Sequence, residues 1–127
     1  MFLGIELRPQ SIVAVVVDSD GRVISRAMQA GTDGAAAIAA ARATVAGSVV
    51  SAGGLAARDT NADETKRAAA SIANDIGVPI NSLVPPGVAV ALSEHWCGAA
   101  RGRRNAVALT AGEGVHAGII VDGRLMS

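Results

Sequence analysis

The sequence is short of the side chains that anchor most small domains. Phe2 and Trp96 are its only aromatic rings, and tyrosine is absent. Half of its 127 residues are hydrophobic, so alanine and the branched aliphatics carry the apolar content. Such a core lets helix and sheet approach closely but gains less per residue than one built on rings. Modest stability as a monomer follows, with association as the remedy. The single cysteine, Cys97, excludes an intrachain disulfide and a cysteine-rich zinc site. Neither sign of charge is in excess: eleven basic and eleven acidic residues cancel. That balance argues against nucleic acid or a membrane surface as partner. No apolar run has the length of a membrane span, and Ala35 to Ala41 is short and reads as helix. The opening MFLGIELRPQ carries Glu6 and Arg8 and does not resemble a secretory leader, so a cytoplasmic location is expected.

What is present is an ordered run of strand and helix signals. Phe2 to Leu7 and Ser11 to Asp18 read as strands joined by a turn at Arg8-Pro9-Gln10, and Arg22 to Gln29 completes a meander. Val13, Val15 and Val17 share one face of the second strand and Ile12, Ala14 and Val16 the other. Two apolar faces predict a sheet covered on both sides. Thr32 or Asp33 caps a helix to about Arg42, with Ile38 inward. Val45 to Ala52 reads as a strand. Capping spacings at Thr60-Asn61 and Asp63-Glu64 open a helix to Ile76 with Ala69, Ile72 and Ile76 inward, and Gly77 ends it. Val78 to Val84 reads as a strand broken by Pro85-Pro86-Gly87. Val88 to Ala100 reads as a helix with Val88, Leu92 and Trp96 on one stripe and Gly102 as its cap. Ala106 to Leu109 and Ile119 to Val121 form a hairpin around glycines, and Asp122-Gly123 turns into a further strand.

This order predicts an α/β fold with a mixed five-stranded sheet, helices on both faces and a C-terminal β-hairpin. The expected division is 1–104 for the sheet and helices and 105–127 for the hairpin. GIELRPQSIVAVVVDSDGR and AVALTAGEGVHAGIIVDGR both run strand, turn, strand and Asp-Gly-Arg, a weak internal repeat.

Ser93 to Leu125, with Leu109-Thr110-Ala111-Gly112-Glu113-Gly114-Val115-His116-Ala117-Gly118 at its centre, resembles the second phosphate hairpin of the ROK (repressor, open reading frame, kinase) sugar kinases. Gly4-Ile5-Glu6-Leu7 is similar to that family's opening strand. The resemblance implies a single ribonuclease-H-like lobe of the actin-like ATPase superfamily, with the hairpin standing at the start of a second lobe. By family position Gly112, Gly114 and Gly118 would face nucleotide phosphate, and Glu6 would take the place of a metal-coordinating aspartate.

The chain departs from the family where the chemistry lies. The family's first turn is Gly-Gly-Thr, and Arg8-Pro9-Gln10 brings side chains and removes an N–H from a backbone cradle. Glu113 replaces a threonine. A carboxylate about 4 Å from a phosphate charge costs on the order of 4 kcal/mol at an effective dielectric near 20, roughly a thousandfold in affinity. Val84-Pro85-Pro86 stands where the family carries its catalytic aspartate, a loss of about 10²- to 10⁴-fold in rate.

The expectation is a truncated, non-catalytic interaction or regulatory module. It would have no catalytic residue, no metal and no cofactor, Mg-ATP entering only if the family activity survives, and it would act as a homodimer or with a protein partner. A sugar kinase lobe completed by a partner chain and an actin-like assembly domain are the competing readings. The plainer roles are also the expected ones for the remaining polar groups. Glu6 is a solvated or locally paired charge, and His116 a half-exposed loop side chain. Asp59, Asp63 and Glu64 cap a helix, and Arg101, Arg103 and Arg104 sit at a helix C-terminus. Trp96 is expected in a core or interface, and Cys97 buried beside it.

Overall fold

The computed structural model describes residues 1–112 and 114–126. Its elements are β1 (Phe2–Leu7), β2 (Ser11–Val17), β3 (Val23–Ala30), α1 (Gly34–Val45), β4 (Ala52–Ala56), α2 (Asp63–Ile76), β5 (Ile80–Val84), α3 (Pro86–Cys97), β6 (Ala106–Ala111), β7 (Val115–Val121) and β8 (Arg124–Met126). They form two compact units, Met1–Val84 and Pro85–Ser127. Within the second unit the helix α3 packs on the hairpin strands β6 and β7.

The first unit is a mixed sheet in the order β3-β2-β1-β4-β5. β1 and β2 are antiparallel, with Leu3 opposite Val16 and Ile5 opposite Ala14, while β1 and β4 are parallel, with Ile5 opposite Leu55. Those partners share a face. On it Ile12, Ala14 and Val16 pack with Ala37, Ala40 and Ala41 of α1 and Ala69 and Ile72 of α2. Both helices of this unit lie on that one side. The alanines of α1 give the close approach that the sequence implies. On the reverse face of β2, Val13 is buried and Val15 and Val17 are half-buried.

The caps show how short polar side chains set these boundaries. Asp33 caps α1, its carboxylate accepting from the Ala36 N–H at 2.8 Å. α2 begins one step after Ala62, which has no side-chain cap of its own. Asp59 acts instead, accepting from the N–H groups of Asn61 and Ala62 at 3.0 and 3.1 Å. Gly77 ends α2 at φ 75, as its sequence position implies. The two helices are tied at the surface by Arg42, whose Nε donates to Asp75 Oδ2 at 2.6 Å.

One strand is displaced from its expected place. Val45 ends α1, a turn and a short irregular segment run to Ser51, and the strand is Ala52–Ala56, AGGLA. Strand propensity favours the valines at 49 and 50, yet tertiary fit selects the glycines. A Cβ on Gly53 would stand 2.9 Å from Ile80 Cδ1 and 3.0 Å from the Leu3 carbonyl oxygen, so glycine suits the tight space between β1 and β5.

The second unit places α3 on a three-stranded sheet in the order β6-β7-β8. Asp122 and Gly123 both have positive φ, 51 and 77, and make the tight turn that their sequence implies. The inward residues of α3 are Gly87 and Ala91, whereas Leu92 and Trp96 are 42% and 45% exposed. The third member of the expected Val88-Leu92-Trp96 stripe, Val88, is half-buried. Small residues win because α3 lies directly on the sheet backbone: a Cβ on Gly87 would come within 2.6 Å of the Ala117 backbone. Among the described residues no helix is long and apolar enough to cross a membrane.

Candidate functional site

In the first unit the parallel strands β1 and β4 both end toward the starts of α1 and α2. In open α/β sheets this is where ligands bind, outside the carboxyl ends of the strands. A cleft of about 600 Å³ opens there, lined by the β1–β2 turn at Arg8 and Pro9, the start of α1, the loop after β4 and the first turns of α2. Its polar lining includes Asp33, Arg58, Asp59, Thr65 and Arg67. Two helix starts and three arginines favour negative charge, and the acids offset it. Much of this polar set has structural work. Asp33 and Asp59 hold helix starts, and Arg8 pairs with Glu6 at 3.2 Å. Of the two states expected of Glu6, solvated or locally paired, the structure has the pair.

The β1–β2 turn does not form an open cradle. The Arg8 N–H donates to the Ser11 carbonyl at 2.9 Å, Pro9 has no N–H, and the Gln10 carbonyl accepts from Gly31 at 3.1 Å. An anion at this turn would meet side chains and committed backbone groups.

In the second unit the other sequence-derived candidates fall at different places. Gly112 is exposed, and its N–H donates across the loop to the Gly114 carbonyl at 3.1 Å. Gly118 is buried against α3: an added Cβ would lie 2.6 Å from that of Ala91 and would collide with the Gly87 carbonyl. In this unit its missing side chain serves helix packing. Glu113 lies outside the described residues, so its charge enters only through the sequence. His116 is half-buried on the α3 side of the sheet. Cys97 is also half-buried, with its thiol directed to the Ser93 carbonyl at 3.5 Å. Glu94 accepts from the Ala99 N–H at 2.7 Å and closes the end of α3. The basic run is partly engaged as well: Arg104 stands 3.7 Å from Asp122. Among the described residues no group of three or more histidine, cysteine or acidic side chains could hold a metal ion.

Arg58 and Thr65 were invisible as cleft residues in the sequence. Their signal was the end of β4, and the misplaced strand hid it.

No family model and no curated protein matches this sequence. Solved structures do. A ROK family glucokinase from Streptomyces griseus, in complex with glucose and AMPPNP, superposes with a TM-score of 0.83 at 25% identity, covering 98% of this chain and 46% of its own. The chain has the ROK kinase fold. A ROK hexokinase from Thermus thermophilus matches at TM-score 0.79 and 24% identity, over 98% of this chain and 48% of its own. The ethanolamine utilization protein EutJ from Carboxydothermus hydrogenoformans matches at 0.65 and 21%, over 98% and 49%. The chain thus spans about half the length of these relatives in fold. The mixed sheet and hairpin expected from sequence correspond to the actin-like lobe of the ROK kinases.

Proposed function

We propose that this protein is a non-catalytic interaction or regulatory module built on the ROK actin-like fold, and that it acts as a homodimer. The observation that carries this reading is the β1–β2 turn. Phosphoryl transfer depends on positioned donors around the phosphates, and here Arg8 directs its N–H into the turn while Pro9 has none to give. The Gly112 N–H is likewise taken by Gly114. Glu113 adds a negative charge to the same loop, and Val84-Pro85-Pro86 offers no acid for a general base.

Isothermal titration of the full chain with Mg-ATP tests the proposal. No heat of binding is expected up to millimolar nucleotide. Submillimolar affinity overturns it and directs attention to sugar phosphorylation.

A second reading draws on the cleft beside Arg58 and Thr65. Its volume of about 600 Å³ suits a small polar ligand, and the Streptomyces relative is a glucokinase with glucose bound. In that reading the chain is a sugar kinase lobe completed by a partner chain. Saturable glucose binding without Mg-ATP binding would favour a ligand-sensing module over a phosphotransferase.

A further inference from the structure

The second unit covers only one side of its sheet. Val107 lies opposite Ile119, and Ile119 opposite Met126, so these three share a face, and Leu109, Val115 and Val121 alternate onto it. None is covered: Val107, Leu109 and Val115 are 65%, 69% and 76% exposed, and Ile119, Val121 and Met126 are exposed as well. On the α3 side the same strands bury Gly118 and Ile120. Apart from Ile120 and the half-buried Leu125 opposite it, the strands carry their larger apolar side chains on the open face.

Three properties of this face identify its occupant. The first is area. The six side chains leave roughly 600 Å² of apolar surface open, at the top of what a monomer shows, and about 800 Å² per partner makes a standard interface. The neighbouring Ala111, Ala117 and Arg124 are exposed too and bring the face close to that size. The second is charge. Apart from Arg124, no charged residue lies on the described positions of this face, and Arg104 and Asp122 pair with each other near its end. An uncharged centre suits an identical surface, because a two-fold contact brings the residues on its axis against their own copies, where like charges would oppose.

The third property is need. The unit encloses few described side chains of its own, so most of the apolar area it could bury lies on this face. Its buried described residues are Gly87, Ala91, Gly118 and Ile120. The outer strand β6, AVALTA, moreover has none of the charges or prolines that usually blunt an edge.

We infer that the open face of β6, β7 and β8 is the surface through which two copies of this chain pair, sheet against sheet across a two-fold axis. The inference rests on the reading of the protein as a self-associating module and names the surface that does it. Facing sheets pack about 10 Å apart, so Leu109 and Val107 of each copy would lie within the shared core.

Sedimentation velocity and light scattering on the full chain, from low to high micromolar concentration, provide the test. The expected species is a dimer. Leu109→Lys should weaken it by on the order of 100-fold in dissociation constant, as loss of a central contact does. Met28→Lys, at an exposed position on β3, should leave it unchanged. Far-ultraviolet circular dichroism verifies that each variant is folded, and Val107→Lys serves if Leu109→Lys is not. Hydrogen exchange on the wild type adds a readout without substitution: β6 and β7 amides should exchange more slowly as concentration rises. A monomer at high micromolar concentration overturns the inference and leaves the face to another part of the same polypeptide. A dimer indifferent to Leu109→Lys overturns it too, by placing the contact elsewhere. The nucleotide titration is independent of these outcomes. A dimer that binds Mg-ATP defeats the non-catalytic reading and spares the interface, and a monomer that ignores Mg-ATP does the reverse.

Discussion

The two units use the same device, small residues where a helix meets a sheet, with different results. In Met1–Val84, alanines of α1 meet Ile12, Ala14 and Val16, and α2 adds Ile72, so the close approach encloses large aliphatic side chains. In Pro85–Ser127, Gly87 and Ala91 meet Gly118, and the close approach encloses little beyond Ile120. The larger side chains of the second unit, Leu109 and Val115 among them, point away from its helix. Small-residue packing gives contact; stabilisation needs apolar area behind it. The first unit has that area inside, and the second carries it on its surface.

The sharpest way to probe this contrast is to cut a large residue out of the better core. Ile72→Ala removes a fully buried side chain and should cost about 2–5 kcal/mol in chemical denaturation. A cost below about 1 kcal/mol would mean that the first unit is no better packed than the second.

Gly118→Val tests the second unit by overfilling it. Its Cβ would press on Ala91 and the Gly87 carbonyl, so α3 must lift, at about 1–3 kcal/mol or more. Hydrogen exchange should rise in β6 and β7 and stay unchanged in β1 and β2. Equal effects in both would show that the units do not respond separately.

The smallest effect lies on the surface of the first unit. The hydrogen bond from Arg42, with its charge, holds the Asp75 carboxyl below its usual range, against a weaker opposing effect of burial. A depressed folded value means stability that is present above the unfolded carboxylate pKa, about 3.9, and lost as pH falls through the folded value. Asp75→Asn should therefore flatten the acid side of the melting-temperature profile and shift it little near neutrality. The guanidinium is largely exposed, so the effect is screened by salt. An unchanged acid slope would remove Asp75 as a contributor.

Much of the architecture was legible in local chemistry. The β-branched run of β2, the left-handed Gly77 and the Asp122-Gly123 turn are statements about short stretches of backbone, and each stands where the sequence implies. Asp33 caps α1 for the same reason. Ile72 was readable as inward because helical periodicity repeats it with Ala69 on one stripe.

The misplaced features depend on contacts between distant segments. Val49 and Val50 prefer strand, but the tight space between β1 and β5 favours Gly53, and the strand forms later in the chain. Leu92 and Trp96 have the spacing of an inward stripe, yet the sheet under α3 accepts only Gly87 and Ala91. The cleft beside Arg58 was missed because its position follows from that later strand. Apart from β4, hydrophobic spacing determined which segments are helix or strand, and the turn residues determined where the chain reverses. Which side of a helix is covered, and what Gly118 is for, only the tertiary structure decided, because steric fit between two backbones is a property of both at once.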